Sequence, residues 1–473
     1  MERTRPRRGR PASRERRGEG RPPAPTRTRL LALRVLERVQ RAGAFADLLL
    51  HANLARSPLS AADRAFATEL VYGTLRWRGR IDYLLRRCLD RDLDRLEPLV
   101  ATALRLGAYQ ILFVDRVPPS AAVDESVRCA RAVGAERSTG LVNAVLRRLA
   151  REHAQIALPR LEDDPLGHLM HALSLPQWIA ARWIETFGAE EAAALAAASN
   201  EVPPLCVRAN PQRVSRDALL DELRARFPDA RACRYARHGI VLGRGGNPTL
   251  DPAFREGRFT VQDEASQLVV DLLDPQPGER VLDACAAPGG KASAIAERIG
   301  PEGEVVALDR NERRLDLVQR AARRLRLENV VSRALDASRP LPPGLVGPGF
   351  DRVLVDAPCS GLGALRRNPD ARWRVHPSDP ARLAETQRSL LRHAAAALRP
   401  GGVVVYSTCT LLPEENEAVV EAFLRDSQGF AASSRDAAPD SVRELQDERG
   451  FLRTLPHRHD TDGFFAARIE RTA

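Results

Sequence analysis

The sequence of 473 residues has very little lysine, since Lys291 is the single lysine among 73 basic residues. It also has no two cysteines spaced as a CxxC motif, which excludes zinc ribbons and zinc fingers. The seven cysteines are scattered and odd in number, which does not indicate a disulfide framework. We therefore predict no metal site and interpret each cysteine as a buried apolar side chain or a reactive thiol.

Long apolar stretches are also missing. The longest uncharged stretch, 166–181, contains two histidines and is shorter than a bilayer span. The N-terminus is rich in arginine and lacks the apolar segment of a secretory signal. We therefore expect a cytosolic protein with no membrane partner. A hydrophobic fraction of 44% allows sizeable cores, and the length leaves room for about three domains.

The net charge of +11 favours a polyanionic partner such as nucleic acid. A genome of high G+C content would by itself explain the excess of arginine over lysine. Residues 1–26 interleave arginine with proline and glycine, and we predict a disordered arm because such a segment cannot bury apolar surface. The arm either binds nucleic acid or only solubilises the chain, and the sequence leaves both open.

The hydrophobic pattern divides the remaining chain into three units. In 27–160 apolar residues recur at helical spacing, which predicts an all-α domain. Residues 161–252 mix helical and strand-like segments and predict a small α+β unit. In 253–473 short apolar strands alternate with amphipathic helices, a pattern typical of an α/β Rossmann-like domain with a mostly parallel, doubly wound sheet.

In such sheets ligands bind at the carboxyl ends of the strands. The first strand of the last unit ends at Asp283 and runs into the turn 285–291, whose glycines let the backbone approach a ligand closely. This turn matches neither the Walker A nor the GxGxxG pattern, so phosphate binding is not expected. Later strands end at Asp309, Asp336 and Asp356. Each aspartate can cap a helix, but the set favours a nucleoside-bearing cofactor.

Two cysteines lie at the same predicted edge. Cys359 follows Asp356 by three residues, and Cys409 follows the next strand. Two thiols on neighbouring loops with a carboxylate beside the first suggest covalent catalysis. Carbon 5 of a pyrimidine is too weak a nucleophile to attack a methyl sulfonium, whereas a thiolate added at carbon 6 creates an enamine that can. One cysteine can attack while the other assists elimination, and spacing alone does not decide which.

At these residues the sequence resembles the Nop2/Sun family of RNA cytosine-5 methyltransferases. The matching motifs are DACAAPGGK at 283–291, DAPCSGLG at 356–363, RRNPDARW at 366–373 and STCTLLPEENE at 407–417. The helical domain resembles NusB at 106–112, 117–119 and 141–148. A NusB-like domain ahead of a Nop2/Sun domain is similar to the arrangement in bacterial methyltransferases of 16S ribosomal RNA.

The resemblance implies S-adenosyl-L-methionine as cofactor and 16S ribosomal RNA as partner. It implies that Cys409 attacks carbon 6, that Cys359 assists product release, and that Asp356 lies beside both cofactor and target base. It also implies that the cofactor is held by the following residues: Cys285, Ala286, Ala287, Pro288, Gly289, Gly290, Lys291, Asp309 and Asp336. In DNA cytosine-5 methyltransferases the cysteine of the PC motif attacks instead, so the assignment of the two thiols rests on the resemblance.

An arginine-rich loop follows Cys359. We expect RNA to contact Arg366, Arg367, Arg372 and Trp373, because they supply positive charge and a stacking face; the alternative is a solvated loop with one anchoring tryptophan. Two other functions stay open, a transfer-RNA cytosine-5 methyltransferase and a catalytically silent NusB-like RNA-binding factor. The intact pair of thiols argues against the silent factor. We expect a monomer.

Overall fold

The computed structural model of the protein describes residues 24–243 and 246–472. Nearly all of the predicted N-terminal arm, 1–23, lies outside the described residues. The chain then forms an α-helical domain. Its helices are α1 Arg27–Ala42, α2 Ala46–Ala55, α3 Ala61–Arg76, α4 Arg78–Cys88, α5 Pro98–Phe113, α6 Pro119–Ala132 and α7 Thr139–Glu152.

Local sequence explains where these helices start and stop. Ser60 accepts a hydrogen bond from the backbone N–H of Asp63 at 3.1 Å and so caps α3. Gly43 ends α1 in the left-handed region, at φ +59°. The helices share one apolar core, in which α5 is the most deeply buried element. The predicted all-α domain is confirmed.

The middle unit contains a small antiparallel sheet of order β2-β3-β1-β4. Its strands are β1 Cys206–Ala209, β2 Arg231–Ala232, β3 Gly239–Val241 and β4 Phe259–Val261. The helices are α8 Pro165–Gly167, α9 Gln177–Phe187, α10 Ala189–Ala198, α11 Arg216–Leu223 and α12 Pro252–Arg255. We expected the last domain to begin after residue 252. Strand β4 lies beyond that point but belongs to the small sheet, because Val261 pairs with Val207 in β1.

The last unit is built on a large mixed sheet. Its strands are β5 Arg280–Asp283, β6 Glu304–Asp309, β7 Val330–Ala334, β8 Phe350–Asp356, β9 Leu398–Thr408, β10 Phe430–Ala432, β11 Leu452–Thr454 and β12 Phe464–Arg471. Its helices are α13 Glu264–Leu273, α14 Gly290–Ile299, α15 Glu312–Leu325, α16 Pro343–Val346, α17 Ala371–Arg374, α18 Asp379–Ala395, α19 Glu417–Asp426, α20 Asp440–Arg443 and α21 Pro456–His459.

The strand order of this sheet is β10-β12-β9-β8-β5-β6-β7. Strands β5 to β9 run parallel, and β12 pairs with β9 in the antiparallel direction. Apolar cores cover both faces, which explains the continuous apolar runs of the sequence. The strand order reverses between β5 and β8, the position at which doubly wound sheets bind ligands. Within 24–243 and 246–472 no helix is long and apolar enough to cross a membrane.

The arginine-rich loop does not lie on an open surface. Arg372 is 0% exposed and sits where the helical domain, the middle unit and the last unit meet. Its guanidinium donates to Asn200 Oδ1 at 2.8 Å and to the carbonyls of Arg76 at 3.1 Å and Ser199 at 3.2 Å. Burial lowers the pKa of Arg372 to about 9. This side chain therefore joins three units to one another.

The neighbouring arginines are also committed to protein partners. Arg366 is 1% exposed and donates to Asp460 at 3.0 Å. Arg367 donates to Asp263 at 2.6 Å and to Asp462 at 2.7 Å. These ion pairs attach the loop to the start of α13 and to the segment that precedes β12.

Trp373 completes this junction, because its indole N–H donates to the carbonyl of Leu75 in α3 at 2.6 Å. The structure contradicts our expectation of RNA contact for Arg366 and Arg372, because both side chains are almost fully buried, whereas the expectation for the partly exposed Arg367 and Trp373 stays a prediction. Each of the four side chains donates at least one hydrogen bond to a protein acceptor, and two of the four are almost fully buried. The loop is a structural junction between the helical domain and the site.

Replacement of Arg372 by alanine should destabilise the protein, because it leaves several buried acceptors without a donor and opens a cavity. We expect the free energy of unfolding to fall by about 3 kcal/mol, measured by urea denaturation. The control is Arg320→Ala, which removes an exposed arginine bonded only within its own helix; it should change stability by less than about 0.5 kcal/mol. Equal urea midpoints for both variants would contradict the junction.

Candidate active site

Strand β5 ends in a carboxylate with unmet hydrogen-bonding capacity. Asp283 is 1% exposed, and neither of its carboxylate oxygens has a side-chain hydrogen-bond partner among the described residues. Burial and then the nearby carboxylate of Asp356 raise the pKa of Asp283 to about 7, while Lys291 acts in the opposite direction. Because a buried carboxylate without a partner is costly, this strand end is suited to receive a cationic group.

The turn after β5 is held close to its neighbours. Gly289 has φ +105°, and a Cβ at this position would lie 2.9 Å from the Cα of Val318 in α15. Glycine is required there for conformation and for space. The N–H of Ala286 donates to the carbonyl of Leu308 in β6 at 2.7 Å. The predicted cofactor turn therefore packs against β6 and α15, and α14 begins at Gly290.

The next two predicted aspartates differ in their surroundings. Asp309 is 5% exposed, accepts the N–H of Asn311 at 2.8 Å, and lies 3.3 Å from Arg314 Nη1. Asp336 is exposed and accepts the Oγ–H of Ser338 at 2.6 Å and its backbone N–H at 3.0 Å. These bonds lower the pKa of Asp336. Asp309 thus lies at the sheet edge beside the turn, whereas the carboxylate of Asp336 closes a turn of its own.

The single lysine connects two strand ends. Lys291 Nζ donates to Asp356 Oδ2 at 2.7 Å, and Ser407 Oγ donates to Asp356 Oδ1 at 2.9 Å. Lys291 Nζ also lies 5.1 Å from the ring centroid of Phe464, within the range of a cation–π contact. The carboxylate at the end of β8 is therefore held from both sides.

The two predicted thiols are neighbours. The Sγ atoms of Cys359 and Cys409 are 3.4 Å apart, and both side chains are partly buried. The hydrogen bond between the two sulfurs, followed by burial, raises the pKa of Cys359 well above its usual range. Cys285 lies in the turn after β5, where burial raises the pKa of its thiol.

A polar network holds the two thiol loops together, and sequence reasoning missed it. Ser360 Oγ lies 2.7 Å from Thr410 Oγ1, and the backbone N–H of Ser360 donates to Glu415 Oε2 at 2.9 Å. Gln387 Nε2 donates to the same oxygen at 3.0 Å. Glu415 belongs to the motif at 407–417, so the motif itself was a signal for it. Gln387 lies inside α18 and carries no comparable signal.

The edge of the sheet thus combines a thiol pair, a buried unsatisfied carboxylate and a lysine–aspartate pair. Among the described residues there is no group of three or more His, Cys, Asp and Glu placed to hold a metal ion. The arrangement can activate a thiol, hold a cation and bind a polar ring between the strand ends. The fold and this site define a Rossmann-like methyltransferase.

Comparison with known families assigns each unit. Residues 270–470 match the family described as 16S rRNA methyltransferase RsmB/F. Residues 26–151 match the NusB family, and residues 175–248 match the ferredoxin-like domain of RsmF/B-like methyltransferases. The small α+β unit of the middle region is therefore ferredoxin-like.

Similar proteins extend over nearly the whole chain. A probable ribosomal RNA small subunit methyltransferase B of Synechocystis sp. is 38% identical over 451 residues, which cover 94% of this chain and 99% of that protein. The Bacillus subtilis protein of the same description is 36% identical, with the same coverage of both chains. The solved structure of PH0851 matches with a TM-score of 0.77 and 25% identity, covering 93% of this chain and 98% of that one. The chain belongs to the RsmB/F family of 16S rRNA methyltransferases.

Substitution of Asp283 by asparagine should remove a pH dependence of stability. An unfolded aspartate has a pKa near 3.9, whereas burial raises the pKa of folded Asp283 to about 7. Between these two pH values the folded chain holds a proton on Asp283 that the unfolded chain has lost. The wild-type free energy of unfolding should therefore fall, relative to Asp283→Asn, as the pH rises from about 4 to 7. Urea denaturation of both proteins across this range measures the difference. Parallel pH profiles would contradict the raised pKa.

Proposed function

We propose that the protein transfers a methyl group from S-adenosyl-L-methionine to carbon 5 of a cytosine in 16S ribosomal RNA, through a covalent bond between Cys409 and carbon 6. The observation that carries this proposal is the 3.4 Å separation of the Cys359 and Cys409 sulfurs at the carboxyl edge of a Rossmann-like sheet. Membership of the RsmB/F family and the names of the relatives support the substrate.

The thiol pair supplies the activation that carbon 5 lacks. The thiolate of Cys409 forms a bond to carbon 6, and the electrons of the carbon 5–carbon 6 double bond move so that carbon 5 becomes nucleophilic. After carbon 5 has accepted the methyl group, a base removes its proton. The electron pair of that C–H bond restores the double bond, and the sulfur–carbon 6 bond breaks.

The hydrogen bond between the sulfurs favours Cys409 as the nucleophile. Either sulfur of the pair can donate this hydrogen bond, and we assign the donor role to Cys359 because its raised pKa favours the protonated form. A donor at this distance stabilises negative charge on the accepting sulfur. Cys359 is then also in place to act in the elimination step, because its hydrogen bond stabilises the thiolate of Cys409 as the sulfur–carbon 6 bond breaks.

Asp356 and Lys291 are suited to orient the target base. The carboxylate of Asp356 is fixed by Lys291 and Ser407, and its remaining lone pairs can accept hydrogen bonds from the polar hydrogens of a cytosine. Lys291 lowers the cost of the negative charge on Asp356. The base must be unpaired or extruded from its stack to reach this position.

The residues of the β5 edge fit the proposed cofactor. S-adenosyl-L-methionine carries cationic ammonium and sulfonium groups, and Asp283 is a buried carboxylate whose oxygens have no side-chain partner. Asp309 keeps free lone pairs that can accept hydrogen bonds from a ribose diol. When bound, the cofactor supplies an electrophilic methyl group. We propose that the turn 285–291 holds its methionine part, and that Asp336 lies near the adenine.

Substitution of each thiol should give a distinct phenotype. Cys409→Ala should abolish both methyl transfer and the formation of a covalent complex, because no thiol can attack carbon 6. Cys359→Ala should accumulate a protein–RNA complex that survives denaturing electrophoresis, because elimination is impaired. Cys88→Ala, which alters a buried cysteine of the helical domain, is the control and should retain turnover. An exchange of the two phenotypes would reverse the assigned roles.

The substrate is tested by mapping the product. The protein is incubated with S-adenosyl-L-methionine and unmodified 16S RNA, and 5-methylcytosine is located by digestion and mass spectrometry. We expect one stoichiometric site. Incorporation into transfer RNA alone would contradict the proposed substrate, and no incorporation into either RNA would contradict the proposed function.

A further inference from the structure

A groove of about 440 Å³ opens beside Cys359, with walls from two domains. The catalytic side contributes Cys359, Gly361 and Arg374, and the helical domain contributes Phe45 and Asp47 at the start of α2. We call this cavity the thiol groove. One cavity is therefore lined both by an aromatic ring of the NusB-like domain and by a thiol of the proposed active site.

Phe45 is unusual because a large apolar side chain is left 51% exposed. The Arg374 guanidinium lies 4.1 Å from its ring centroid. The backbone around the ring is fixed, since the carbonyl of Phe45 accepts the N–H of Leu49 at 3.1 Å. A rigid and partly exposed aromatic ring beside a guanidinium plane forms a stacking platform for a planar ligand.

The charges of the groove favour a base over a phosphate group. Two ion pairs neutralise most of them: Arg374 with Asp370 at 3.5 Å, and Arg382 with Asp379 at 2.9 Å. The carboxylate of Asp47 has no hydrogen-bond or ion-pair partner among the described residues, and it would repel a phosphate. It can accept hydrogen bonds from the amino or imino N–H groups of a nucleobase.

The groove is also fixed in position relative to the thiols. The junction formed by Arg372 and Trp373 bonds α17 to α3 of the helical domain. Helix α3 therefore cannot move away from the loop that carries Cys359 without breaking buried hydrogen bonds. A ligand that fills the groove meets a surface already in its bound shape, which lowers the cost of binding.

We propose that the thiol groove holds the nucleobase that directly neighbours the target cytosine in the RNA strand, stacked on Phe45. This inference rests on the proposed function. Extrusion of the target base removes one stacking partner from its neighbour. The ring of Phe45 replaces that partner, and Asp47 accepts a hydrogen bond from the edge of the base. The helical domain thereby contributes directly to recognition of the methylated site.

The test combines a protein variant with an RNA variant. The RNA is a fragment spanning the cytosine that the wild-type protein methylates in 16S RNA, or, if none is methylated, a 12-nucleotide single strand with a central cytosine. Each neighbour of the cytosine is replaced in turn by an abasic nucleotide. Affinities are measured in the absence of cofactor for wild type, Phe45→Ala, Phe45→Tyr and Leu48→Ala.

We expect Phe45→Ala to weaken binding of the intact RNA by about tenfold, the size of a lost base–aromatic stack. One of the two abasic RNAs lacks the base that the groove holds. Wild type and Phe45→Ala should bind this RNA equally, because neither complex can form the stack between that base and Phe45. Phe45→Tyr keeps an aromatic ring and should retain affinity. Leu48→Ala removes a side chain that is 65% exposed one helical turn away and outside the groove, and should bind within twofold of wild type.

Two results would overturn the proposal: unchanged affinity in Phe45→Ala, or an equal loss in Phe45→Ala with intact RNA and with both abasic RNAs. A loss shared by Phe45→Tyr would indicate a structural role for the position and would also overturn it. Methylation by the wild-type protein is scored separately. Failure of the proposed function therefore appears as absent methylation, whereas failure of the groove appears in the binding cycle.

Discussion

The parallel pairing of β8 with β9 is the constraint on which the site depends. Asp356 lies opposite Ser407 in this register, and the two short turns that follow bring the sulfurs of Cys359 and Cys409 to 3.4 Å. A slip of one residue would turn the side chains of one strand to the opposite face. Because the paired stretches 353–355 and 404–406 are buried, apolar packing on the two faces prevents that slip. The geometry of the thiols is therefore set by the interior of the sheet.

A second constraint fixes the helical domain against this edge. Arg372 is buried without a carboxylate partner, yet its pKa of about 9 leaves it charged at neutral pH. The guanidinium offers five donors in a rigid fork, which matches acceptors that come from different directions. Carbonyl and amide oxygens from the helical domain and the middle unit occupy that fork. The domain that carries Phe45 is thereby held beside the loop that carries Cys359.

The sequence predicted the fold well where burial is continuous. Strands β6 and β8 end at Asp309 and Asp356, as expected, and both could be found because the buried stretches of these parallel strands give uninterrupted apolar runs. Strand β4 has three residues and no such run, so the end of the small sheet was missed. The thiol pair could be located from its motifs, but the burial of Arg372 could not. Charge in a loop normally marks a surface, and the partners of Arg372 lie 172 or more residues away in the chain.

The single lysine shows why composition and geometry must be considered together. The other 72 of the 73 Lys and Arg residues are arginines, and Lys291 is the one position in the sequence that carries a side-chain ammonium group. Its side chain is 10% exposed and lies between the carboxylate of Asp356 and the ring of Phe464. An ammonium group is a compact charge with three rotatable donors, whereas a guanidinium is wider, planar and directional. A guanidinium would need a wider space than the one that the ammonium group occupies between Asp356 and Phe464. The single lysine therefore stands where a carboxylate and an aromatic ring share one compact cation.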